Sequence, residues 1–232
     1  MKSMVNTVPA ENQMVNSDVL SFLGDSKAPL RILVLGNSIT RHGPCEPIGW
    51  HFDWGMAASA PEKDFVHRLY DMLRESGKDV YMMIRQASRW ERNFKNPDCL
   101  AEYENEKAFG ADIVIFRLGE NVVKEDFPEL KAATERLLNH VTPVGASAIL
   151  TTGFWKNPVR DRAVAEAAEA LGCPCVDVSC SDESMMAIGK FTHHGVSIHP
   201  GDMGMEMIAR KIFGYIMKSG FAEKLESNVA AT

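Results

Sequence analysis

The chain has 232 residues, 45% of them hydrophobic, a length and composition that suit one domain around a single sizeable core. Its net charge of -6, with Lys and Arg scattered along the chain, offers no basic footprint for nucleic acid or an anionic membrane. No run approaches the ~20 apolar residues of a membrane span, and the N-terminal stretch lacks a basic start followed by an apolar core, so a soluble chain is expected. The compartment stays open: cytoplasmic by default, secreted or periplasmic if a signal peptide has been removed. The five cysteines are odd in number, and Cys173-Pro-Cys175 has one intervening residue where redox and zinc pairs have two, so ordinary thiols are expected and a disulfide framework is not.

In chain order, residues 1–29 are polar with a short apolar group at Val19, Leu20, Phe22 and Leu23, and read as an N-terminal arm holding one helical turn. From Arg31 the run Ile-Leu-Val-Leu ends in Gly36, the pattern of a strand buried on both faces of a parallel sheet. Similar runs at 80–84, 113–118, 148–152 and 175–178 bring the expected strands to five. Helices are expected over 61–76, where Gly77 is the stop, and over 127–141, 159–171 and 202–217. Strands alternating with helices make right-handed βαβ units, so the expected fold is α/β, a three-layer α/β/α sandwich on a five-stranded parallel sheet. The domain is set at 30–220, with a tail over 221–232 and a long functional loop over 41–60.

Ligands of open α/β sheets sit beyond the carboxyl ends of the strands, so the residues there carry the chemistry. Gly36-Asn37-Ser38 follows the first strand, Gly119-Glu120-Asn121 follows the third, and His199-Pro200-Gly201 stands before the last helix. Acyl transfer needs a nucleophile, a base within hydrogen-bond reach and donors fixed where an oxyanion forms. Ser38 supplies the hydroxyl, His199 the base, and the Asn121 side chain with the Ser38 backbone N–H supplies donors. Because a helix follows His199, the positive end of its dipole is expected to disfavour the imidazolium. No cofactor is needed for such a reaction.

These segments, in this order, resemble the SGNH (GDSL-like) hydrolase family, whose four blocks carry serine, glycine, asparagine and histidine. The resemblance spans about residues 31–216 and implies a flavodoxin-like sandwich and an esterase acting through an acyl-Ser38 intermediate. Asn37 stands where the first block usually has aspartate. In the last block the family places an aspartate three residues before the histidine, and here that residue is Val196. The resemblance therefore implies a Ser-His dyad in which a backbone carbonyl, of Val196 or a neighbour, accepts from Nδ1 of His199. The second block's glycine N–H falls to Ala87, or to Ser88 beside it.

Each motif also has a plainer reading. Gly36-Asn37-Ser38 alone would serve as a helix cap. Asp202 is expected to cap the last helix rather than to act as a triad acid. His193 and His194 beside His199 lack the Asp, Glu or Cys pattern of a metal site. Trp50, His51, Trp54 and Met56 line either an acyl or sugar pocket or a packed turn. Arg89, Trp90, Glu91 and Arg92 form either a polar wall of the cleft or a solvated charge cluster. Asn37, Trp54, Trp90, Glu120 and Trp155 are the candidate substrate contacts. The expected function is hydrolysis of small acetyl-like esters, on carbohydrates or other small alcohols, with a small-molecule substrate as partner. The alternative is a catalytically silent binding protein for acylated sugars, suggested by Val196 and the altered second block. A nucleotide-binding fold is disfavoured, because neither G-x-x-x-x-G-K-[ST] nor G-x-G-x-x-G follows the first strand.

Overall fold

The computed structural model describes residues 19–218. Most of the N-terminal arm and all of the tail over 221–232 lie outside the described residues. The strands are β1 (Leu20–Leu23), β2 (Leu30–Gly36), β3 (Val80–Gln86), β4 (Ile113–Arg117), β5 (Ser147–Thr151) and β6 (Cys175–Val176). They form one sheet in the order β1-β3-β2-β4-β5-β6. From β3 to β6 each neighbouring pair is parallel, while β1 runs antiparallel to β3 with Leu20 opposite Arg85 and Leu23 opposite Met82.

The sheet is therefore mixed and six-stranded, a correction to the expected five parallel strands. The group at 19–23 is too short for its apolar spacing to separate a helical turn from a strand. The free edge of β3 decides the matter, because its unpaired backbone groups take β1 as a partner.

Apolar residues in every strand interior make sense once both faces are covered. Leu33, Leu35, Met83, Val114, Phe116 and Leu150 point to one face, and Ile32, Val34, Met82, Ile84, Ile115 and Ile149 to the other. The first face packs under α2 (Ser88–Asn93), α3 (Glu104–Phe109), α4 (Phe127–Val141) and α5 (Pro158–Ala170). The second packs under α1 (Phe65–Glu75) and α7 (Asp202–Lys218). The single-turn helix α6 (His194–Ser197) precedes His199. The three expected layers are present, and α4 spans the expected residues. Helices α2, α3 and α6 were not expected, being too short to show a periodic apolar face.

From β2 the sheet grows to one side through β3 and to the other through β4, so β2 is the topological switch point where open α/β sheets open a crevice. Ser38 lies two residues beyond its end. The loop over 41–60 folds back on this end, and its Cys45, Ile48, Trp50, Met56 and Ala57 form a separate apolar cluster with Ala187 and Val196. All five cysteines are free thiols.

Candidate active site

After β2 the backbone reverses tightly, and the Asn37 carbonyl accepts from the N–H groups of Thr40 (2.9 Å) and Arg41 (3.0 Å). Gly36 is required there, because a Cβ on it would lie 1.7 Å from Thr40 Oγ1 and 2.5 Å from Thr40 Cβ. The Ser38 carbonyl accepts from Met56 N–H at 2.8 Å, which ties the turn to the long loop. Ser38 is half-buried, and its N–H meets no acceptor among the described residues.

Ser38 Oγ lies 2.8 Å from His199 Nε2. The other ring nitrogen, Nδ1, lies 2.6 Å from the carbonyl oxygen of Gly195. That contact sets the tautomer, since Nδ1–H donates to the carbonyl and leaves a lone pair on Nε2 for the serine proton. The Trp155 ring meets the imidazole edge-on, with centroids 5.2 Å apart, and its Nε1–H donates to the Ile198 carbonyl at 3.2 Å. Burial pulls the His199 pKa down to about 4; the Gly195 carbonyl works against this, and His42 and Arg117 add repulsion. The direction is the expected one, but burial rather than the helix dipole leads its causes. His42, itself buried, lies with Nδ1 2.6 Å from the Gly43 carbonyl and is likewise held below its ordinary pKa by burial.

Asp202 is not directed at the histidine: its carboxylate accepts from Ser59 N–H (2.8 Å) and Ser59 Oγ (2.6 Å), stapling the long loop to the start of α7. His193 Nδ1 accepts from Val196 N–H at 3.3 Å and so caps α6. Among the described residues no group of three His, Cys, Asp or Glu side chains is arranged to hold a metal ion.

Beneath the turn lies a buried polar cluster that the sequence disclosed only in part. Asn37 Nδ2 donates to Glu120 Oε2 (2.7 Å) and Glu91 Oε1 (3.2 Å), while its Oδ1 accepts from Arg117 at 3.1 Å. Glu120 also accepts from Arg117 and from Phe154 N–H (3.0 Å). Although burial opposes its ionisation, the charges of Arg117 and Arg160 hold its carboxyl below the usual value. Glu91, fully buried, is pushed the other way by burial and by the neighbouring charge of Glu120. It accepts from Gly119 N–H (2.6 Å), Asn121 N–H (3.2 Å) and Asn121 Nδ2 (2.5 Å), while Arg92 donates to Asn121 Oδ1 at 3.0 Å.

Several expected roles change with this geometry. Asn37 and Glu120 are spent within the cluster, and Trp90 is core, packed on Phe94 and Phe116, so none of the three is a surface for substrate. Trp54 and Trp155 remain partly exposed. Trp54 stacks on Phe52 with centroids 4.4 Å apart, and its Nε1–H donates to the Ala58 carbonyl at 2.9 Å. Ala87 is corrected as an oxyanion donor, because its N–H donates to the Gly36 carbonyl at 2.6 Å and continues the β2–β3 ladder by one residue. The Ser88 N–H donates to Gln86 Oε1 at 3.1 Å. Arg117 escaped sequence reading because it stands inside an apolar strand run, and Glu91 was read only as cleft wall or solvated charge because it stands in a charged stretch; neither pattern signals burial of a charge.

No protein-family model matches the sequence, and no curated protein matches it. Solved structures do match by shape. TesA aligns over 80% of this chain and 97% of its own, at 15% identity and a TM-score of 0.52. A family two carbohydrate esterase from Cellvibrio japonicus aligns over 82% of this chain and 61% of its own, at 15% identity and a TM-score of 0.51. A two-domain esterase active on acetylated mannans, co-crystallised with mannopentaose, aligns over 85% of this chain and 50% of its own, at 16% identity and a TM-score of 0.49. With Ser38 beyond the switch-point strand and His199 in reach of its hydroxyl, the chain shares the fold of TesA and of that carbohydrate esterase.

Proposed function

We propose that the protein is a serine esterase that works through a Ser38–His199 dyad. The observation that carries this reading is the line of contacts from Ser38 Oγ to His199 Nε2 (2.8 Å) and from Nδ1 to the Gly195 carbonyl (2.6 Å). His199 takes the hydroxyl proton as Oγ attacks the ester carbonyl, then returns it to the departing alcohol. Water, deprotonated by the same ring, releases the acid from acyl-Ser38. The tetrahedral oxyanion is held by the Ser38 N–H and the Asn121 amide, both of which have an N–H that meets no described acceptor. The likeness to a carbohydrate esterase favours small acyl groups carried on sugars as the substrate class.

A fluorophosphonate probe and an activated acetate ester test the reading. Wild type should be labelled at Ser38 and turn over the ester, and Ser38→Ala should keep its fold and lose at least about 10³-fold in kcat. A Ser38→Ala variant with most of its activity would sink the mechanism. The second reading, a silent binding module for acylated sugars, is favoured by one observation: the backbone N–H groups of Ala87 and Ser88 are both engaged. Folded wild type that binds acetylated sugar yet resists the probe would establish it.

A further inference from the structure

Glu91 has no exposed surface, yet it sits in α2 next to Trp90, a core side chain. Burying a carboxylate opposes folding by several kcal/mol unless hydrogen bonds offset the lost water, so an apolar residue there would be less costly. What the carboxylate does instead is collect donors from both other motif segments. Oε1 accepts from Asn37 Nδ2 (3.2 Å), Gly119 N–H (2.6 Å) and Asn121 N–H (3.2 Å), and Oε2 accepts from Asn121 Nδ2 (2.5 Å).

The Asn121 amide is the part of the site most in need of such a partner. Rotation about its terminal torsion is soft and nearly two-fold, so an unsupported asparagine presents oxygen or nitrogen to a ligand almost equally. Here both ends are specified: Nδ2 faces the Glu91 carboxylate, and Oδ1 faces the Arg92 guanidinium at 3.0 Å. A flipped amide would set oxygen against an anion and N–H₂ against a cation.

We propose that Glu91 is a positioning residue that, with Arg92, locks the Asn121 amide so that its second N–H is presented to the oxyanion of the reaction. The inference rests on the esterase reading and adds to it the group that sets the donor's direction.

A double-mutant cycle on the full chain tests it. Glu91→Gln keeps the size but must aim its own N–H₂ at a donor, so kcat should fall about 10- to 100-fold with KM within about 3-fold of wild type. In an Asn121→Ala background the same change should cost less than about 3-fold, because the group it acts through is gone. Equal losses in both backgrounds, or a loss carried by KM, would overturn the inference while Ser38 labelling leaves the esterase reading intact. Wild type that neither hydrolyses esters nor takes the probe removes both.

Should Glu91→Gln not fold, the wild type itself decides. The side-chain amide protons of Asn121, assigned by the pair missing in Asn121→Ala, should exchange slowly, with one shifted downfield by the carboxylate. An averaged, fast-exchanging pair overturns the proposal.

Discussion

The imidazole of His199 donates its Nδ1–H in a hydrogen bond to the backbone carbonyl of Gly195, 2.6 Å away and four residues upstream. In the proposed dyad, the role that a carboxylate takes in a triad thus falls to the backbone of α6. A neutral acceptor fixes the tautomer and ring plane but contributes no full charge to stabilise an imidazolium. Burial then dominates, and the pKa lies near 4.

That value shapes two pH profiles. The base is neutral wherever pH exceeds about 4, so kcat/KM should stay level from pH 8 to about 5 and fall with an inflection near 4. Stability follows a related course. The folded pKa lies below the ordinary 6.5, so the unfolded chain binds the proton first, and stability present above pH 6.5 should be lost between there and about 4. An activity inflection between 6 and 7, measured with a pH-insensitive ester, would contradict a buried base with a neutral partner.

Asn121→Ala removes the one proposed side-chain oxyanion donor. The loss should be about 10²- to 10³-fold in kcat with KM nearly unchanged, since the donor acts on charge that develops only in the transition state. Steady-state kinetics beside a circular dichroism spectrum would check it, and a change confined to KM would assign Asn121 to ground-state binding.

Val196→Asp restores the residue type that the family places three positions before the histidine. It should not restore a triad. Val196 is 1% exposed and packed with Trp50 and Met56, while the Gly195 carbonyl already occupies Nδ1. The variant should lose about 3–5 kcal/mol in urea unfolding, the range for an uncompensated buried charge, and gain no activity. Higher kcat with unchanged stability would mean that the aspartate reaches the ring.

Gly55→Ala probes the support of the nucleophile turn. The added Cβ would stand 2.6 Å from the Ile39 carbonyl oxygen and 2.8 Å from Asp64 Cβ, and backbone cannot move as a side-chain tip can. About 1–3 kcal/mol of destabilisation is expected. Activity should fall with it, because the next residue, Met56, holds the Ser38 carbonyl. A scanning calorimetry trace with an unchanged Tm would refute the clash.

Much of this was legible in the sequence. The apolar runs ending in Gly36 and near Leu118, and the apolar faces of α4 and α7, reflect burial on one or both sides, which periodicity reports directly. Ser38 and Asn121 beyond strand ends and His199 before the last helix stood out because loop residues are free of core-packing demands. Asn37 and Glu120 occupy the same kind of position and Trp90 stands in α2 just beyond β3, and nothing in their residue type told that each would be spent inward.

By itself the sequence determined the layering, the switch-point strand and, beyond it, Ser38 with His199 in reach of its hydroxyl, because alternating apolar patterns and motif order are written residue by residue. Tertiary structure alone decided the rest. Gly195 orients His199 through a carbonyl that every residue possesses, Ala87 gives its N–H to the ladder because β2 and β3 pair in that register, and Glu91 matters because four donors from two separate segments converge on it. Backbone groups and buried charges take their roles from what lies opposite them, and what lies opposite is set only when the chain has folded.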